Sequence, residues 1–220
     1  MRVFVDNGTA IEEKFLILKL KIKKVKIAIV KYNAGNVFSV ECALRRLGVE
    51  PVLTADPDVL RAADKVVFPG VGEASSAMTC LRGGGLDGVI RSLRQPVLGV
   101  CIGQQLMCRH SEEGDCDCLG IFDVDVKRFQ PAQGFKIPEM GWNTVAAVRQ
   151  SRLLEGIADG SYVYYVHSYY APVCTDTIAV TEFAVPFSAA MQRDNFYATQ
   201  FHPEKSGDVG SRILQNFLEL

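Results

Sequence analysis

The most constraining stretch of this 220-residue chain is residues 96–103, PVLGVCIG. Its short apolar run reads as a buried strand. The strand leads without a break into Gly99-Val100-Cys101-Ile102-Gly103, and a helical pattern follows. A strand that turns straight into a helix through a glycine-flanked residue belongs to a βα unit, and so to a parallel sheet covered by helices.

The sequence before it repeats that unit. Residues 25–30 (VKIAIV) read as a buried strand, followed by an NAGN turn in which Asn36 is placed to cap a helix. Val37, Val40, Leu44 and Leu47 have helical spacing, and Gly48 is a C-terminal stop. Residues 49–53 read as a short strand, and Asp56-Pro57 opens another helical turn. Residues 65–68 (KVVF) form a third strand, ending in Pro69-Gly70-Val71-Gly72. Helical stretches are expected over 74–82 and 86–94. The second half differs: 121–129, 144–148, 162–166, 177–185, 189–192 and 196–200 read as closely spaced strands, and 206–220 as a closing helix. The expected fold is α/β: a flavodoxin-like, doubly wound, mostly parallel sheet with added antiparallel strands.

Composition narrows the functions open to such a fold. Lys and Arg number 24 against 25 Asp and Glu, a net charge of −1, which argues against broad electrostatic binding to nucleic acid. Apolar residues make up 48%, enough for a sizeable core. No uncharged apolar run reaches the ~18 residues of a membrane span. The seven Cys are odd in number and irregularly spaced, unlike a secreted disulfide framework, so reduced thiols in a cytoplasmic protein are expected.

Residues 1–24 stand apart. Leu18, Leu20 and Ile22 alternate with Lys19, Lys21 and Lys23, a strand-like period with lysines on one face. The basic residues follow the apolar ones, unlike a secretory signal, and Glu12 and Glu13 argue against a mitochondrial presequence. An extra edge strand or a segment foreign to the domain both fit. The expectation is a dispensable leader, a domain over 25–220, and Val25 as the initiating residue.

The chemistry centres on Cys101. G-x-C-x-G between strand and helix is the cysteine form of a nucleophile elbow. The helix N-terminus behind the sulfur favours a thiolate. On the pentapeptide alone, a structural Cys in a glycine-rich turn fits as well. His202-Pro203-Glu204 near the chain end shifts the balance. If its backbone is extended, residues two apart point the same way, so Glu204 can orient His202 while His202 faces a thiolate. The Gly70–Gly72 loop should lie at the same carboxyl edge of the sheet, where a backbone N–H near Gly70 and Val71, with that of Ile102, can stabilise an oxyanion. Cys116-x-Cys118 lacks the spacing and second ligand pair of a zinc site. His167 suits a structural or site-wall role better than that of a second base.

In order, PGVG, LGVCIGQQL and QFHPEKS resemble the class I (triad) glutamine amidotransferases. KIPEMGWN over 136–143, VHSYYA over 166–171 and the early VKYNAGNVFSV narrow this to a resemblance with the glutaminase subunits of imidazole glycerol phosphate synthase, over about residues 25–220. The resemblance implies the class I amidotransferase fold, with Cys101 as nucleophile, His202 as general base and acid, and Glu204 as its orienter. Gly70, Val71 and Ile102 would form the oxyanion region. Glutamine would be held near Gly72, Gln105, Ser168 and Tyr169. The implied partner is the (β/α)8-barrel cyclase subunit (HisF type), with Trp142, Tyr164 and Lys205 at the interface. Ammonia released from glutamine would pass into the barrel. This chemistry calls for no metal or organic cofactor.

Two residues depart from the family pattern. Gln104 follows the elbow where Met or Leu is usual one step further on, and it is expected to affect packing beside the site. Glu139 replaces a common His before Met-Gly-Trp-Asn and is expected to bear on partner docking. Another amidotransferase of the class, a lone γ-glutamyl hydrolase and a non-catalytic interaction protein are the rival readings. GWN with VHSYYA argues against the first, and the Cys101, His202 and Glu204 set against the last.

Overall fold

The structure, a computed structural model, describes residues 25–32, 37–70 and 72–220. The leader 1–24, the turn containing Asn36, and Val71 lie outside the described residues. The first half is the expected series of βα units. Strands β1 (Ile27–Val30), β2 (Val52–Thr54), β3 (Lys65–Phe68) and β4 (Val97–Val100) alternate with helices α1 (Phe38–Arg46), α2 (Pro57–Ala62), α3 (Ala74–Gly83), α4 (Leu86–Ser92) and α5 (Ile102–Met107). Asp56 caps α2, its carboxylate accepting from the Asp58 N–H at 2.8 Å.

The second half adds β5 (His110–Ser111), β6 (Cys116–Asp117), β7 (Asp125–Arg128), β8 (Glu139–Ala147), β9 (Ser161–His167), β10 (Tyr169–Tyr170), β11 (Thr177–Phe183), β12 (Val185–Arg193) and β13 (Phe196–Thr199), then helix α6 (Gly207–Glu219). The main sheet has the order β2-β1-β3-β4-β13-β12-β11-β8-β9, and a small second sheet runs β10-β7-β5-β6. From β2 to β13 every pairing is parallel; from β13 to β9 every pairing is antiparallel.

Alternation along the strands divides the core into two layers. Ile27 and Ile29 pack with Leu44 of α1 and Phe217 of α6. Ala28 and Val30 pack on the other side with Leu60, Met78, Ile90 and Leu106 of α2 to α5. Parallel strands covered on both faces explain why these runs are apolar throughout rather than alternating.

Some boundaries differ from the sequence expectation, for local reasons. The strand expected over 121–129 shrinks to β7, because the Ile121 and Phe122 amides both bond the Met107 carbonyl and tie that segment to the end of α5. The run 177–185 is broken at Ala184, which takes φ +51° and turns the chain back as β12. An Ala in that conformation carries no sequence signal. The two-residue strands β5, β6 and β10 are too short for periodicity to reveal.

Candidate active site

Three loops leave the carboxyl edge of the parallel strands side by side. The register Phe68↔Gly99 pairs β3 with β4, and Thr199↔Val100 pairs β4 with β13. Gly70, Cys101 and His202 therefore emerge close together, although 132 positions separate the first from the last. The insertion of β13 beside β4, parallel and between two sequence-distant elements, creates the site.

Cys101 has φ +54° and ψ −110°, a strained backbone for a residue with a Cβ. The strain is held by packing. Its N–H donates to the Thr199 carbonyl at 2.8 Å. A Cβ at Gly99 would lie 3.0 Å from the Gly103 backbone, and a Cβ at Gly103 would overlap the Phe68 carbonyl. Both elbow glycines are thus required by close approach. Gly70 is required as well: a Cβ there would overlap the Ile102 side chain and lie 2.9 Å from the Gly103 nitrogen. The loop after β3 is pressed against the first turn of α5, where backbone N–H groups lack helical partners. Tyr32 anchors it, donating its hydroxyl to the Pro69 carbonyl at 2.7 Å.

His202 Nδ1 lies 2.8 Å from Glu204 Oε1, and both side chains are buried. Extended backbone does not bring them together. Residues Pro203–Lys205 form a 3-10 turn, which folds Glu204 back under the ring. The Ser206 hydroxyl donates to the His202 carbonyl at 2.7 Å and accepts the Tyr164 N–H at 3.0 Å, locking the turn to β9. Nε2 of His202 is buried with no hydrogen-bond partner among the described residues, and it shares a cavity with Cys101. Burial lowers the imidazole pKa, but the interactions with Cys101 and Glu204 outweigh it and raise the value to about 10.

The cavity has a volume of about 270 Å³. Gly72, Gln105, Ser168 and Tyr169 all line it, as do Ile102 and His167. Gln105 donates one amide hydrogen to the Tyr169 carbonyl at 2.8 Å and one to Gln200 Oε1 at 3.0 Å. Two residues that the sequence reading passed over belong here. Gln200, fully buried, directs its amide toward Cys101 Sγ at 3.7 Å. Glu113 supplies the one carboxylate among the lining residues; burial raises its pKa, and it accepts the Ala74 N–H at 2.9 Å. The Gln of QFHPE and the acidic pair Glu112-Glu113 were the visible signals for them.

The departures resolve differently. Gln104 points away from the cavity, fully buried, with Nε2 donating to the Ser188 carbonyl at 2.9 Å. Glu139 is not a surface residue: it is 4% exposed, directly opposite His167 in the β8–β9 ladder. Strand alternation turns Glu139 inward while Met140 and Trp142 point out. Trp142, 55% exposed, meets Tyr164 edge-on at 6.0 Å, and Lys205 Nζ lies 5.9 Å from the Tyr164 ring centre. The three residues expected at an interface form one contiguous patch.

Residues 4–220 match the family described as glutamine amidotransferase class-I. The chain is 61% identical over 197 residues to the imidazole glycerol phosphate synthase subunit HisH of Bacteroides thetaiotaomicron, covering 89% of this chain and all of the relative. The chain belongs to the class I glutamine amidotransferases. The HisH subunit of Escherichia coli K12 is 47% identical over the same span. Among solved structures, this amidotransferase superposes on a putative GMP synthase subunit from Thermoplasma acidophilum with a TM-score of 0.67. That structure has 22% identity, covering 89% of this chain and 93% of the other. The likeness bears out the fold.

Proposed function

We infer that this amidotransferase is the glutaminase subunit of an imidazole glycerol phosphate synthase. It hydrolyses L-glutamine to glutamate and ammonia. The ammonia goes to a (β/α)8-barrel cyclase subunit, which forms imidazole glycerol phosphate and AICAR in histidine biosynthesis. The observation that carries this reading is the strained Cys101 sharing a cavity with the buried Nε2 of a His202 held by Glu204. The HisH relatives, at up to 61% identity, support the choice of pathway. All seven cysteines are free thiols, which agrees with a cytoplasmic setting.

The chemistry follows from the atoms in place. The Cys101 thiolate attacks the side-chain amide carbon of glutamine. Backbone N–H groups of Ile102 and of the Gly70–Val71 segment bind the resulting oxyanion, a contribution commonly of ~3–4 kcal/mol per donor. The imidazolium of His202 protonates the departing nitrogen, and ammonia leaves a γ-glutamyl thioester. Neutral His202 then takes a proton from water, which attacks the thioester and releases glutamate. Glu204 stabilises the imidazolium at each stage. The Gln200 amide steadies the sulfur. Gly72, Gln105, Ser168 and Tyr169 hold the substrate.

A glutamine-mimicking electrophile at neutral pH is expected to label Cys101 alone, because burial raises the thiol pKa of Cys108, Cys116 and Cys118. Cys101→Ala should abolish glutaminase activity while the protein stays folded. Peptide mapping that finds the label on Cys80 or Cys108 would reject the assignment.

A further inference from the structure

Outside the triad the molecule buries a second carboxylate–imidazole pair. Glu139 Oε2 lies 3.1 Å from His167 Nε2, neither atom has another partner among the described residues, and the two side chains are 5% and 3% exposed. The mechanism above uses neither residue.

The protons of the pair follow from its neighbours. His167 Nδ1 is 2.8 Å from the Tyr169 carbonyl, which can only accept, so Nδ1 carries a hydrogen. If Nε2 were bare, its lone pair would face the lone pairs of a carboxylate, with both groups buried and unpaired. That arrangement is among the costliest in a protein interior. A proton between Nε2 and Oε2 satisfies both groups. Glu139 is itself oriented by Asn143, whose Nδ2 donates to Oε1 at 2.8 Å and to the Glu182 carbonyl at 3.0 Å.

The bonds continue inward. The Tyr169 carbonyl that accepts from His167 also accepts from Gln105. Gln105 bonds Gln200, and Gln200 points at Cys101 Sγ. From this chain of contacts we propose that Glu139 and His167 share one proton and act as a positioning pair: they fix the Tyr169 carbonyl and, through it, the Gln105 side of the glutamine cavity. The proposal rests on the reading of this cavity as the glutamine site. Neither residue touches the reacting atoms, so the pair acts on substrate fit rather than on the chemical step.

The test is glutamine kinetics of the complex with the cyclase subunit. Glu139→Met keeps the volume but removes the bond, and it should raise KM for glutamine about tenfold with kcat changed less than about threefold, the loss expected for one buried hydrogen bond. Glu139→Gln should restore KM, since its amide can donate to Nε2 with Nδ1–H retained. Glu139→Met with wild-type KM overturns the proposal, as does Glu139→Gln with a KM no lower than that of Glu139→Met. Gln105→Met separates the proposal from the reading beneath it. If that variant raises KM and Glu139→Met does not, the positioning role alone fails. If Gln105→Met leaves KM unchanged, the cavity assignment fails and the proposal with it. Should Glu139→Met not fold, the intact chain decides. It has three histidines, so nitrogen-15 spectra at neutral pH can be assigned directly. A strongly downfield His167 proton that disappears in Glu139→Gln is expected, and its absence from the wild type overturns the shared proton.

Discussion

His202 is subject to opposed influences. Burial favours the neutral ring, whereas Cys101 and Glu204 favour the imidazolium, and the net effect is a pKa raised to about 10. A folded-state pKa raised above the ordinary 6.5 has a definite sign in stability. The contribution is whole below about 6.5, shrinks as pH rises further, and is gone once pH has passed about 10. Cys101→Ala removes the thiolate but leaves burial and Glu204. The expected outcome is a fall in the His202 pKa, read from the imidazole resonances in a pH titration. An unchanged value would mean that sulfur and ring are not coupled. Residue types and order exposed this part of the site: a Cys between two glycines and a His two positions before a Glu. The partners Gln200 and Glu113 were harder to see, because a buried Gln and a half-buried Glu look like ordinary polar residues until their neighbours are known.

Helix α6 shows how an element serves the site without entering it. Gly210 sits in its second turn, against the turn that carries His202 and Glu204. A Cβ there would overlap the Pro203 carbonyl and lie 2.8 Å from the Ser206 Cβ. In an open helix, Gly→Ala stabilises by ~1 kcal/mol. Here overlap with a backbone carbonyl outweighs that gain, since neither backbone can yield without moving the triad turn. Gly210→Ala is therefore expected to lower both the melting temperature and glutaminase kcat. A variant more stable than wild type with full activity would show that the turn has room. The helix itself was legible from its spacing, but the need for glycine at this point was not. Local sequence cannot report which carbonyl approaches a helix face.

At the scale of the molecule, the exposed face of β8 and β9 carries Met140, Trp142 and Tyr164 beside Lys205, and Val166, paired with Met140 in the ladder, lines the cavity. We propose this face as the cyclase-binding surface. Trp142→Ala should weaken the complex by more than about 1–2 kcal/mol if the ring is a hot spot. Calorimetric titration measures this, and an unchanged Kd would move the interface elsewhere. The working unit is proposed to be residues 25–220, since β1 begins at Ile27 and every residue assigned to the site lies beyond it. A chain beginning at residue 25 should fold, bind the cyclase and hydrolyse glutamine like the full chain. Insolubility or loss of partner binding would make the leader part of the domain.

The sequence by itself determined the βα rhythm of the first half, the elbow, the Cys101, His202 and Glu204 set proposed as the triad, and the family. These are local: strand and helix periods repeat within a few residues, and an elbow needs glycines at fixed offsets from its nucleophile. Only the tertiary structure decided that β13 lies parallel to β4, because strand order depends on pairings between residues ~100 positions apart, which no local period encodes. It also decided that Glu139 faces inward. A strand's alternation says that Glu139 and Met140 lie on opposite faces, but not which face the protein buries. That choice was made by His167, opposite in the ladder, and by the aromatic side chains of Phe129, Tyr165 and Phe187 packed around its ring.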